Sequence, residues 1–170
     1  MSWWGKPYKG NKIVSFYVKK IVWEYGEKFG DVFYPNNILD LKEKIKELDS
    51  LGKKDSYPFF IFIDFNEDDL SLSFSIGDKH SCMEFVYKSK EKNNRANYLY
   101  NTDGDINVDF EFSYFSSYSI TNMMRTFPQE KVLEAIYYFI ENKIFPSFIN
   151  FEDEETNEQW VLKSSEKEDL

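Results

Sequence analysis

Hydrophobic positions in residues 126–151 follow the pattern of one amphipathic helix that is succeeded at once by a short strand. Between positions 132 and 144 apolar side chains return every three or four residues, which places them on one face of a helix. We expect Thr126 or Phe127 at the N-cap and Pro128 in the first turn, where the N–H that proline lacks would have no partner in any case. Pro146 ends the helix. Apolar residues at 148–151 then predict a buried strand. We expect this helix to lie across a β-sheet formed by the rest of the chain.

Continuous and period-two apolar patterns predict the strands of that sheet. Residues 57–65 form a continuous apolar run typical of a central strand, and residues 70–76 alternate apolar side chains with serines. Further strand patterns lie at 12–25, 82–87 and 108–114, whereas loops, turns or connections are predicted at 26–36, 88–97, 98–107 and 116–125.

A second amphipathic helix is predicted over residues 38–51, with Asn37 as its N-cap and Gly52 just past its end. The order of elements therefore predicts an α+β fold, a mainly antiparallel β-sheet with two principal α-helices packed on one face. We expect one domain over residues 1–153. The acidic segment 154–170 has little to bury and is predicted to be a mobile tail.

Charge and cysteine content narrow the classes of function. The formal net charge of −9 argues against a nucleic-acid or anionic-membrane partner, because such partners attract clustered lysine and arginine. It favours a partner protein that is itself basic. Cys82 is the only cysteine, so no internal disulfide is predicted. No apolar run has the length of a signal peptide core or a membrane span, and a cytoplasmic location is the expectation.

Side chains suited to catalysis or metal binding are sparse. His80 and Cys82 are each the only residue of their type, and a thiol–imidazole pair is conceivable on one strand face. Groups this close in sequence rarely reach the geometry of nucleophile and base, and zinc needs more ligands. Residues 101–105 resemble part of a calcium loop, but Leu99 and Phe110 fall where oxygen ligands belong, so a plain turn is predicted. No cofactor or metal is expected.

Carboxylates concentrate in two segments, 59–78 and 101–124, that contain no lysine or arginine. If the turns at 66–69 and 101–107 lie at the same edge of the sheet, they form one negative patch that attracts a basic protein. The alternative is that they are ordinary solvated turn residues. Nearby tyrosines would add contact area. The residues predicted to bind a partner are Asp64, Glu67, Asp68, Asp69, Tyr100, Asp103, Asp105, Asp109, Glu111 and Tyr118.

The C-terminal pattern also suggests a family. Pro128 corresponds to an early proline, Phe139-Ile140 to a Phe-Leu pair, Pro146 to a closing proline, and residues 149–151 to a last strand. With these features the chain resembles the first immunity-protein family of bacterial polymorphic-toxin and contact-dependent growth inhibition systems. The resemblance covers about residues 113–152.

Two positions depart from the family pattern: Lys143 stands where the family usually has glycine, and Phe151 where it usually has tryptophan. The resemblance implies a non-enzymatic inhibitor that binds a cognate toxin domain, often a nuclease or deaminase, and masks its active site in the cytoplasm. It does not imply which residues bind, because immunity surfaces diverge with their toxins. A non-catalytic adaptor that binds another basic protein is the alternative, and an enzyme built on Cys82 and His80 is the third hypothesis. The oligomeric state stays open.

Overall fold

A computed structural model describes residues 16–26, 28–66, 70–88, 94–114, 117–153 and 159–160. The α+β class is confirmed, because most of the strands form an antiparallel sheet and two helices accompany them. The elements in chain order are β1 (Val18–Tyr25), β2 (Lys28–Phe33), α1 (Ile38–Lys54), β3 (Phe59–Phe65), β4 (Leu70–Ile76), β5 (His80–Lys88), β6 (Asn94–Leu99), β7 (Asp109–Tyr114), β8 (Ser117–Asn122), a 3₁₀-helix (Met123–Arg125), β9 (Thr126–Pro128), α2 (Gln129–Asn142), β10 (Phe151–Asp153) and β11 (Gln159–Trp160).

The main sheet has the strand order β11-β10-β6-β5-β4-β3-β1-β2, and every pair of neighbours in it is antiparallel. Strands β3 to β6 form a meander, because each pairs antiparallel with the strand that follows it in the chain. A hairpin of β7 and β8 leaves this path and meets β3 through a single parallel bridge between Phe59 and Ser113. Strand β9 pairs with the start of β5, beyond the reach of β6.

Both helices pack on one face of the sheet and bury a single apolar core there. Every second side chain of the strands packs against the apolar faces of the helices. The two-residue period of the strands and the three- and four-residue spacing of the helices predict this packing. Burying each such side chain contributes about 1.5–3 kcal/mol. The core includes Leu41, Ile45 and Leu48 of α1, Val132, Ile136, Phe139 and Ile140 of α2, Phe59, Ile61 and Ile63 of β3, and Leu72, Phe74 and Ile76 of β4.

Helix α1 begins where predicted and ends later than predicted. The Asn37 side chain accepts a hydrogen bond from the Asp40 backbone N–H at 2.9 Å, which confirms the N-cap. The helix continues to Lys54, so Gly52 lies inside its last turns and not beyond them. Position 52 needs glycine because the backbone of Gly77 lies against it, and not because of a left-handed turn.

Helix α2 is shorter at both ends than the sequence predicts. Thr126 and Phe127 belong to β9, so neither is the N-cap, and Pro128 stands at the N-cap and not in the first turn. The helix begins at Gln129, whose N–H donates to the Lys79 carbonyl at 2.9 Å. Residues 126–128 therefore pair with β5 as a strand and do not begin the helix. At the other end Lys143 adopts φ 59°, a left-handed conformation that stops the helix before Pro146.

Four segments predicted as loops, turns or connections contain strand residues. Strand β2 occupies part of 26–36, β6 spans parts of 88–97 and 98–107, and β8 lies within 116–125. These segments have weak strand patterns, and each becomes a strand because a neighbouring strand satisfies its backbone hydrogen bonds. Strand β10 begins at Phe151, three residues after the start of the strand predicted at 148–151. The part of the first predicted strand at residues 12–15 lies outside the described residues.

Strand β10 ends at Asp153, and the predicted domain boundary at this residue stays a prediction. Beyond it, β11 pairs with β10 through Trp160 opposite Phe151. Residues 154–158 and 161–170 of the predicted tail lie outside the described residues. Within the described ranges, no helix has the length and apolar character needed to cross a membrane.

Candidate partner-binding surface

The β7–β8 hairpin packs on the sheet face that the helices leave uncovered. The ring centroid of Phe60 on β3 lies 5.0 Å from those of Phe112 and Tyr114 on β7, and the Phe62 centroid lies 5.4 Å from that of Tyr114. Cys82 and Phe110 are buried in the same small cluster. Aromatic contacts therefore anchor the hairpin on the sheet while its other side faces solvent.

The side of the hairpin that faces away from the sheet carries two carboxylates and two large exposed side chains. Asp109 and Glu111 lie on β7, and Glu111 is opposite Ile120 on β8. Tyr118 is 68% exposed and Ile120 is 52% exposed. We call these four residues the hairpin outer face. The predicted alternation is confirmed for Phe110, Phe112 and Tyr114, which contact the sheet instead. Val108, which the alternation also predicts on that side, precedes β7 and is 47% exposed.

Glu111 and Tyr118 interact directly on the hairpin outer face. The hydrogen bond between the Tyr118 hydroxyl and the Glu111 carboxylate raises the pKa of Tyr118, and the charges of Glu111 and Asp109 add to this effect. At neutral pH the tyrosine is therefore a neutral donor beside two carboxylates. The arrangement is an aromatic and aliphatic centre with negative charge along one side.

The loop between β6 and β7 holds two further carboxylates next to the hairpin. Its backbone is fixed at both ends, because Asn101 N donates to Met124 O at 2.7 Å and Met123 N donates to Val108 O at 2.9 Å. A Cβ on Gly104 would lie 2.3 Å from the Met123 carbonyl oxygen, so the loop rests tightly on the 3₁₀-helix. Both Asp103 and Asp105 are exposed on this loop.

The predicted single negative patch is wrong for Asp64, because the structure places it at the other end of the strands from the loop of Asp103 and Asp105. Asp64 lies near the end of β3 and forms an ion pair with Lys20 at 3.5 Å. Three reversals of direction, through β4, β5 and β6, follow before the loop that bears Asp103 and Asp105. That loop therefore lies at the opposite end of the strands from Asp64. Glu67, Asp68 and Asp69 lie outside the described residues.

The remaining predicted residues gather at one edge. Tyr100 directly follows β6, is half-buried, and donates its backbone N–H to Asn150 O at 2.9 Å. Its role in partner contact stays a prediction. The residues that the structure brings to this edge are Tyr100, Asp103, Asp105, Asp109, Glu111 and Tyr118.

A groove of about 470 Å³ lies between the hairpin and the uncovered face of the sheet. Glu84 on β5 stands opposite Tyr98 on β6, and the guanidinium carbon of Arg125 lies 5.5 Å from the centre of the Tyr98 ring. Glu84, Arg125 and Ile120 are not among the residues that the sequence predicts to bind a partner. Ile120 could have been predicted from the two-residue period of a strand, which places it on the same face as Tyr118. Glu84 and Arg125 come from separate parts of the chain, so no local sequence pattern predicts that they meet.

The thiol of Cys82 does not have the environment of a nucleophile. Burial raises the pKa of Cys82 to about 12, and the hydrogen bond between the thiol and the accepting Ser75 Oγ, at 3.5 Å, lowers it by less than burial raises it. The thiol is therefore protonated at neutral pH. In the part of the chain that the structure describes, no group of three or more histidine, cysteine, aspartate or glutamate residues could hold a metal ion.

Taken with the fold, these features define an α+β protein whose sheet is covered by helices on one face and by a hairpin with a negative outer face on the other. Comparison with protein-family models, with curated proteins and with solved structures found no match.

Proposed function

We propose that this protein is a stoichiometric inhibitor of the immunity type, which binds a cognate toxin domain in the cytoplasm and masks its active site without catalysis. The observation that carries the proposal is the hairpin outer face. Exposed Tyr118 and Ile120 stand beside Asp109 and Glu111 on a hairpin held in place by aromatic contacts. Protein interfaces commonly combine an aromatic or aliphatic centre with a polar rim.

Charge supports a basic partner. The chain carries a formal net charge of −9, and residues 101–124 contain four acids and no basic residue. A toxin that acts on nucleic acid needs a cationic cleft to hold phosphates. An acidic inhibitor is drawn to such a cleft by long-range attraction, and buried aromatic contacts then slow its release.

The resemblance to the immunity family gains support from the end of α2. Lys143 adopts φ 59° at the position where that family usually has glycine. Glycine takes this left-handed conformation more easily than any other residue. The backbone turn that would favour glycine in the family is thus present in this chain, although the side chain differs.

Growth rescue tests the proposal directly. The full chain is co-expressed with the toxin domain encoded immediately upstream of its own gene, and growth and complex stoichiometry are measured. We expect rescue and a one-to-one complex. Tyr118→Ala should weaken the complex by about tenfold or more, whereas Tyr138→Ala, which removes a tyrosine 41% exposed on α2, should not.

Two results would contradict the proposal. If the toxin domain still arrests growth when the chain is well expressed, the immunity function is wrong. If the chain binds basic proteins without protecting cells from a toxin, the adaptor alternative is favoured. Equal effects of Tyr118→Ala and Tyr138→Ala would remove the hairpin outer face from the interface.

A further inference from the structure

Strand β8 has one edge that no other described strand pairs with. It is bonded to β7 alone, and it stands outside the path of the main sheet. Met123 N donates a hydrogen bond to Val108 O, so these two residues form a hydrogen-bonded pair of the hairpin. Hydrogen-bonded and non-hydrogen-bonded pairs alternate along an antiparallel hairpin. Two-residue alternation then directs the backbone N–H and C=O groups of Tyr118, Ile120 and Asn122 away from β7, toward the open edge.

This edge lacks the features that usually protect edge strands. Its sequence, SYSITN, contains no charged residue and no proline. Native proteins commonly place lysine, proline or a bulge on such an edge, or cover it, so that it does not pair with another chain. Here the two large side chains of the strand, Tyr118 and Ile120, are also largely exposed.

We propose that β8 accepts an extended, basic segment of the partner protein as an additional strand. The inference rests on the proposed function, since the added strand belongs to the protein that the chain masks. Main-chain hydrogen bonds to the open edge would supply affinity, and alternate side chains of the added strand would supply specificity. Those on one face lie beside Tyr118 and Ile120, and those on the other lie beside Ser119 and Thr121 at the mouth of the groove.

The charges of the hairpin select a basic strand. Asp109 and Glu111 lie one strand further in on the outer face, and neighbouring strands are about 4.8 Å apart. Lysine or arginine side chains of the added strand are long enough to extend over β8 toward these carboxylates. A second copy of this chain is disfavoured as the occupant, because it carries the same net charge of −9 and the same acidic hairpin.

Peptide probes test the pairing without knowledge of the partner. The isotope-labelled full chain is titrated with an eight-residue peptide of alternating Lys and Val, followed by NMR of the backbone amides. Two N-methylated versions are the matched controls, one methylated at every Lys and the other at every Val. Both keep the charge and the side chains, and each blocks only one edge of the peptide.

We expect the unmethylated peptide to shift the amide signals of Tyr118, Ile120 and Asn122. One methylated version should bind with the same affinity as the unmethylated peptide. The other version should bind at least about tenfold more weakly, the effect of losing main-chain hydrogen bonds. Equal binding of both versions, or no shift at millimolar peptide, would overturn the inference. Shifts at the same amides that depend on protein concentration without peptide would show a second copy as the occupant and would also overturn it.

Variants of Ile120 separate this inference from the proposed function. Ile120→Pro removes an edge N–H and should weaken peptide binding about tenfold relative to Ile120→Ala, which keeps it. Amide signals of the helices check that each variant is folded, and the methylated peptides decide the question if Ile120→Pro unfolds. Should wild-type and Ile120→Pro proteins rescue cells equally, the proposed function stands and the edge-pairing inference falls. Loss of rescue by the wild-type chain instead removes the proposed function.

Discussion

Gly52 in α1 and Gly77 after β4 meet backbone to backbone. A Cβ built on Gly52 would lie 2.9 Å from the Cα of Gly77, and one built on Gly77 would lie 3.0 Å from the Cα of Gly52. The Gly77 N–H also donates to an Asp49 carboxylate oxygen at 2.9 Å. The two glycines therefore let the end of the helix approach the end of a central strand more closely than any side chain would allow.

Gly52→Ala should destabilise the protein, although the same change raises helix stability at an ordinary site. The added methyl group would overlap the Gly77 backbone, which cannot move independently of β4, so we expect a loss of about 1–3 kcal/mol. Chemical denaturation measures the free energy of unfolding. The control is Ser50→Ala, at an exposed position of α1, which should change it by less than about 0.5 kcal/mol. A stabilised Gly52→Ala protein would contradict the close contact.

Lys143→Gly should be more stable than Lys143→Ala. Both variants remove the Lys143 ammonium, which lies 4.6 Å from the centre of the Tyr17 ring, so that loss cancels in the comparison. Only glycine relieves the left-handed backbone at φ 59°, which costs an L-residue about 1–2 kcal/mol. Thermal or urea unfolding of the pair measures the difference. Equal stabilities would show that the conformation at 143 carries no strain.

Stability should fall at alkaline pH, and Cys82 should determine where the fall begins. The unfolded thiol loses its proton near its ordinary pKa of 9.0, whereas burial raises the pKa of Cys82 in the folded protein to about 12. Ionisation thus favours the unfolded state between these values, and the stability present below pH 9 is lost at up to about 1.4 kcal/mol per pH unit.

Urea unfolding between pH 8 and 10 checks this expectation. In Cys82→Ala the fall should begin nearer pH 10, where unfolded Tyr137 starts to ionise, because burial raises the folded pKa of Tyr137 from 10.0 to about 12. Identical pH profiles for the two proteins would mean that the Cys82 thiol is not buried as described. A thiol reagent should likewise react slowly with Cys82 until the protein unfolds.

Removing charge from the hairpin outer face should slow association with the basic partner. In the double variant Asp109→Asn/Glu111→Gln we expect the association rate to fall about tenfold at low salt and to depend less on ionic strength. Stopped-flow or surface-binding kinetics at two salt concentrations measure both effects. The matched control, Glu130→Gln/Glu141→Gln, changes the same net charge on exposed positions of α2. If both double variants behave alike, net charge matters and the hairpin does not.

Local patterns in the sequence determined the two helices, the central strands β3 and β4, and the direction of side chains along β7. These features depend on residues within a few positions of one another: Asn37 caps the next turn, and Asp109 and Glu111 face away from Phe110 and Phe112 because a strand has a period of two. The α+β class follows from them as well.

Only the tertiary structure decided which strands exist at weak patterns and which turns share an edge. Strand β6, with buried Asn97 at its centre, forms because β5 and β10 pair with it on both sides. If residues 94–99 were a loop, Asp103 would lie at the same end of the strands as Asp64. Because they form a strand, the chain reverses direction once more and Asp103 lies at the opposite end. The position of the surface acids thus depends on long-range pairing, because backbone hydrogen bonds between strands are made with partners that the local sequence does not specify.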